Sequence, residues 1–289
     1  MHDIHIMVDS SADLSNETRE KYGIGLIPLL SIFNEKSYVI GTEMSNEQFY
    51  DMLSKTKKLP KTSQTPYASM YDMLLKASKE HESVIYITLS SVASGQNHTA
   101  HLVRDDILEN GNPNANIIII DSMSFSILIG RTAIEMTKYV QEGYTAEEVA
   151  EKGKNYIEHL HAFILVSDLM YLEKGGRLNT AAAVLGTLLD VKPVLTISEG
   201  LIDVEAKLRG KKKIYKKLCD MVSEYETFDE DAAEFIIIDS CKEMGDELEE
   251  NVKDMFCTDN GILRAEIGPL IGTNVGAGTV ALVFKTKEM

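Results

Sequence analysis

Short β-branched runs alternate along the chain with longer segments in which apolar residues recur at helical spacing. The runs fall at residues 4–8, 83–89 and 116–120, and later at 162–166, 235–238 and 262–267. Such alternation predicts an α/β protein. Local signals mark where helices begin and end. Ser45-Asn46-Glu47-Gln48 is a capping box that opens a helix to about Lys57, and Thr145-Ala146-Glu147-Glu148 is a second one. Thr65-Pro66 offers an N-cap and a first-turn proline, and Ser94 can cap the helix after strand 83–89. A helix from about Phe125 to Gln141 stops at Gly143. Ile24–Ile32 reads as extended, 59–64 as a loop and 268–279 as a glycine-rich loop before a last strand.

The pattern changes character after residue 157. We expect an N-terminal α/β domain, 1–157, with a mostly parallel sheet and flanking helices, and a C-terminal domain, 158–289, with a mixed sheet and helices. The mixed sheet follows from Pro193–Ser198 and Leu201–Lys207 flanking Glu199-Gly200, a strong hairpin signal. An alanine-rich helix is predicted near 180–189.

Charge and composition narrow the function. Over 289 residues, 45 acids against 29 bases leave a net charge of −16. That balance opposes nucleic acid as a partner and an anionic membrane as a resting place. The three cysteines, Cys219, Cys241 and Cys257, have no metal-type spacing, so we expect neither metal site nor disulfide framework. The first residues lack a leader pattern and no run is long and apolar enough to span a bilayer, so the expectation is a cytoplasmic protein.

Candidate chemistry gathers where strands end. Val8 leads into Asp9-Ser10-Ser11, Leu89 into Ser90-Ser91, Ile120 into Asp121-Ser122 and Ile238 into Asp239-Ser240. In open α/β sheets, ligands bind outside the carboxyl ends of strands, although the same residue types also serve as plain helix caps. The best candidate is Ser94-Gly95, where a helix N-terminus can receive an anion. Thr62-Ser63-Gln64 adds hydroxyls and an amide, and Thr273-Asn274 adds more in the last glycine segment. Neutral donors of this kind suit a carboxylate better than a polyphosphate. Ser94 and His98 are spaced as a nucleophile and base on one helix face, which leaves a Ser94-based hydrolase as an alternative. The nucleophile elbow is missing, because Val92 stands where its first glycine would be. No P-loop is present either.

Taken together, Val8–Leu14, Thr62-Ser63-Gln64, Ser90-Ser91 with Ser94-Gly95, Asp121-Ser122, Asp168–Arg177, Lys192–Leu195, Arg209-Gly210-Lys211 and Ile267–Thr273 resemble the DegV family of fatty-acid-binding proteins. The resemblance implies two α/β domains with a long-chain, palmitate-like fatty acid between them and no other cofactor. It implies that Thr62 and Ser94 hold the carboxylate, with Ser63, Gly95, Thr273, Asn274 and Arg177 at the ligand. It further implies a non-catalytic protein that presents the acid to a separate ATP-dependent fatty acid kinase, with Arg209 as the docking residue. An interaction subunit with a structural acyl ligand is the rival reading. The chain departs from the family at Gln96-Asn97-His98, where T-Y-Q is usual, and at Asn274, where a histidine is usual. Asn274 can donate a hydrogen bond but cannot carry a proton.

Overall fold

The computed structural model describes residues 2–56, 58–179, 191–209, 213–228, 234–257 and 261–287. They form two compact units, Met1–Ile157 with Gly268–Leu270, and Glu158–Ile267 with Ile271–Met289.

The first unit runs β1 (Ile4–Asp9), α1 (Asn16–Tyr22), β2 (Gly25–Ile27), β3 (Leu30–Phe33), β4 (Lys36–Val39), α2 (Asn46–Lys55), β5 (Lys61–Ser63), α3 (Tyr67–Glu80), β6 (Ser83–Thr88), α4 (Gln96–Asp106), β7 (Asn116–Asp121), α5 (Ile127–Glu142) and α6 (Ala146–Glu158). Strands β2-β1-β6-β7 make one parallel sheet. Helical crossovers bury both faces of such a sheet, which is why its strands read as continuous apolar runs. On one face Met7, Val84 and Tyr86 pack with Met70 and Leu74 of α3 and Ala100 and Val103 of α4.

Both capping boxes form. Ser45 accepts from the Gln48 backbone while the Gln48 side chain returns to the Ser45 N–H. Thr145 and Glu148 reciprocate at 3.3 and 2.9 Å ahead of α6. Gly143, at φ 93°, ends α5. A second sheet, β4-β3-β5, is antiparallel; β3 overlaps the segment read as extended and β5 the one read as loop, while β4 falls where the sequence predicts no element. Lys61–Ser63, expected as loop, pairs with Leu30–Ile32. Thr65 does not cap α3, because Pro66 takes the N-cap position. The buried Thr65 hydroxyl is spent elsewhere, donating to the Pro28 carbonyl at 2.8 Å and accepting from Gln96.

The second unit runs β8 (Leu160–Val166), α7 (Met170–Gly175), β9 (Val191–Ser198), β10 (Leu201–Arg209), α8 (Ile214–Ser223), β11 (Phe235–Asp239), α9 (Lys242–Phe256), β12 (Ile262–Glu266), α10 (Pro269–Val275) and β13 (Thr279–Lys285), with α10 starting on residues of the first unit. Its sheet order is β10-β9-β8-β13-β11-β12, and only β11 and β12 are parallel neighbours, so the sheet is mixed. Phe163, Leu282, Phe284 and Ile237 pack with Leu218 and Val222 of α8 and Leu248 and Val252 of α9. Most of the 173–177 segment belongs to the helix α7, closed by Gly176 at φ 68°. The 268–279 glycine segment likewise contains α10. The helix predicted near 180–189 and the Gly210-Lys211-Lys212 cluster lie outside the described residues.

Candidate functional site

Two strand-end carboxylates organise the loop that leads to Ser94. Asp9 closes β1 and is fully buried. Its carboxylate accepts the backbone N–H of Ser11 at 2.9 Å, the Ser11 hydroxyl, and the N–H of Leu89 at 2.9 Å, so it ties the end of β1 to the end of β6. Burial pushes its pKa up to about 6, against the pull of those hydrogen bonds. Asp121, at the end of β7, accepts the N–H groups of Ser91 and Met123, each at 3.1 Å. The chain then turns back on Ser90, whose carbonyl accepts from Ala93 and Ser94 at 3.2 and 3.1 Å, and delivers Ser94 to the start of α4.

Ser94 sits one residue outside the N-cap, Gly95. Its Oγ accepts the Gln96 N–H at 3.2 Å, which leaves its own proton without an acceptor among the described residues. The Thr62 hydroxyl, on β5, makes no hydrogen bond among the described residues. Ser63 Oγ reaches only its neighbour's carbonyl, at 3.4 Å. What comes close to Gly95 is a side chain of the Thr62 segment, since a Cβ there would stand 2.6 Å from Gln64 Oε1.

The Thr62 segment and the start of α4 are fastened together. Gln64 Nε2 donates to Thr99 Oγ1 at 3.1 Å. Gln96 is fully buried; its Oε1 accepts the Thr65 N–H at 3.0 Å, and its Nε2 donates to Thr65 Oγ1 and Tyr86 Oη, both at 2.8 Å. Asn97 Nδ2 donates to Thr88 Oγ1 at 3.0 Å. Residues 96 and 97, which depart from the family pattern, therefore work inside the fold and brace the two hydroxyl-bearing segments. Spacing alone shows only that Gln96 lies on the inner face of the helix: Gln96, Ala100, Val103 and Ile107 recur on one side, and all are buried.

His98 is exposed, and no hydrogen bond joins it to Ser94. Among the described residues, no group of three or more His, Cys, Asp or Glu could hold a metal ion, and no helix is long and apolar enough to cross a membrane.

The remaining predicted residues lie in the second unit. Thr273 and Asn274 are on α10, with Thr273 buried. Asn274 Oδ1 lies against Gly175, where a Cβ would stand 2.9 Å away. The Gly175 carbonyl also accepts from Arg177 Nη1, so Arg177 and Asn274 converge on one glycine. The segment after α7 is anchored to β10, with Ile202 donating to the Arg177 carbonyl at 3.1 Å and accepting from Asn179 at 2.8 Å. For Arg209 only the backbone, opposite Val191 in the β9–β10 pair, is described.

Residues 3–287 match the family model described as "Uncharacterised protein, DegV family". A DegV domain-containing protein of Clostridium perfringens is 30% identical over 286 residues, covering 97% of this chain and 98% of that protein. The solved structure of a fatty acid binding DegV family protein from Streptococcus agalactiae is similar at a TM-score of 0.87 and 28% identity, covering 99% of this chain and all of that one. A stearic acid-binding protein from Eubacterium ventriosum is similar at a TM-score of 0.87 and 25% identity, covering 100% of this chain and 99% of that one. With a family match over nearly its whole length, this chain belongs to the DegV family.

Proposed function

We propose that this protein binds one long-chain, palmitate-like fatty acid and holds its carboxylate with the hydroxyls of Thr62 and Ser94. The observation that carries the reading is the pair of uncommitted donors, Thr62 Oγ and Ser94 Oγ, on segments locked together by Gln64, Thr65 and Gln96. The partial positive charge at the N-terminus of α4 favours an anion there. Similar proteins from S. agalactiae and E. ventriosum are fatty acid and stearic acid binders, which supports the ligand class.

Magnitudes divide the labour. Burying a CH₂ contributes about 0.8 kcal/mol, so a 16-carbon chain offers on the order of 10 kcal/mol before costs. A hydrogen bond to the charged head contributes about 1.5–3 kcal/mol. The tail dominates affinity and the head selects an acid. The same proposal assigns Ser63, Gly95, Arg177, Thr273 and Asn274 to the ligand. It places the protein in the cytoplasm, as a non-catalytic carrier for a separate fatty acid kinase docking at Arg209, with the domain boundary at 157/158.

Mass spectrometry of the protein purified without added lipid, intact and after solvent extraction, tests the ligand. One bound acid per chain is the expected result; an empty protein that also refuses added stearate and palmitate ends the reading. Thr62→Ala and Ser94→Ala each weaken binding about tenfold or more.

A further inference from the structure

Among the described residues, the buried side-chain hydroxyls of Ser31 and Ser124 lack a hydrogen-bond partner. Ser124 lies in the turn after β7, and its backbone N–H and carbonyl are already engaged by Ser122 Oγ and the Ser90 N–H. Ser31 lies in the middle of β3, between two residues of the core. Leu29, Ser31 and Phe33 are 2%, 0% and 3% exposed, while Leu30 and Ile32 between them are only half-buried. This alternation assigns Ser31 to the apolar face of a strand, where an alanine or valine would pack without the desolvation cost of an orphan hydroxyl. A buried polar group without a partner requires an explanation.

Register supplies one. Ser31 stands directly opposite Thr62 in the antiparallel β3–β5 pair. Directly opposed residues share a sheet face, with Cβ atoms about 4.5–5.5 Å apart. The Thr62 hydroxyl also lacks a partner among the described residues. Two adjacent hydroxyls, one fully buried and one half-buried, thus hold protons with no acceptor among the described residues. A carboxylate only accepts hydrogen bonds and has two oxygens to receive them.

We propose that Ser31 is a further head-group residue, donating to the ligand's carboxylate beside Thr62. This inference rests on the fatty-acid reading above and extends it to a residue outside the family motifs. It predicts an unusual combination: Ser31→Ala weakens the complex while leaving the free fold intact or firmer, because the alanine removes a hydroxyl that only the ligand satisfies.

The experiment compares delipidated wild type, Ser31→Ala, Ser31→Cys and Thr62→Ala by calorimetric titration with stearate and with stearyl alcohol, together with thermal melts of the ligand-free proteins. The expected result is stearate binding weakened about tenfold in both Ser31 variants, stearyl alcohol binding unchanged, and a ligand-free Tm equal to or above wild type. Wild-type stearate affinity in both Ser31 variants, with Thr62→Ala weakened, overturns the role of Ser31 and leaves the fatty-acid reading standing. A lowered ligand-free Tm or failure to fold in both Ser31 variants also overturns it, since the hydroxyl would then serve the fold. Absence of stearate binding by the wild type overturns both.

Discussion

Gln96 spends both ends of its amide inside the fold, on Thr65 and Tyr86. Gln96→Leu keeps the volume but strands the Thr65 N–H and the Tyr86 hydroxyl. Leaving buried partners unsatisfied costs about 1–3 kcal/mol, so a urea titration should find the variant less stable by about 2 kcal/mol. Asp13 makes a different prediction. It sits at φ 50°, and its carboxylate accepts from Ser126 Oγ at 2.5 Å and from the Gly268 N–H at 3.0 Å. Burial, with the charge of Asp9 adding to it, pushes the pKa up to about 7 against those bonds. The folded state therefore holds this proton more tightly than the unfolded chain, and the stability it confers is lost as pH rises from about 4 through 7. Asp13→Asn removes the titration. Between pH 4 and pH 8 the stability difference should move in the variant's favour by about 3 kcal/mol, read by chemical denaturation at both pH values. A difference independent of pH would mean that Asp13 ionises as freely in the fold as in the unfolded chain.

At the scale of elements, the β9–β10 hairpin turns on Glu199 and Gly200, at φ 47° and 76°. Positive φ at both central residues is the geometry for which Asn-Gly is favoured. Glu199→Asn should relieve the left-handed glutamate and raise the Tm, for a gain of about 0.5–1 kcal/mol. A fall in Tm would show that Glu199 makes a contact worth more than that strain. This turn was legible in the sequence because its cause is local, as were the two capping boxes and the stop at Gly143. Strand β5 was not. Its three residues are too few to show a period, and their pairing partner lies about 30 positions away on β3. Thr65 misled for a related reason: a residue that caps well in isolation was claimed by Pro28 and Gln96 through tertiary contacts. The site divides in the same way. Thr62 and Ser94 stand out as motif residues beside helix starts, whereas Asp9, Gln96 and Ser31 gain their meaning only from what the fold places beside them.

At the scale of the whole molecule, a net charge of −16 sets the protein against its proposed anionic ligand. The head group is to be met by neutral hydroxyls and a helix N-terminus, which act at short range, while the repulsion from the summed acids reaches outward over a Debye length. That length is about 30 Å at 0.01 M salt and about 8 Å at 0.15 M. The two effects therefore separate in kinetics: net repulsion slows encounter, and short-range hydrogen bonds govern escape. In stopped-flow measurements with a fluorescent fatty acid below its micelle concentration, the association rate should rise a few-fold from low to physiological salt, with little change in dissociation. The corresponding uncharged alcohol should show neither effect. An association rate for the acid that falls with salt would reveal a local positive field strong enough to overcome the acidic surface. The lysines and arginines, 29 in number, would then have to be concentrated toward the site, and cations such as Arg177 would guide the ligand in from a distance as well as lie beside it once bound.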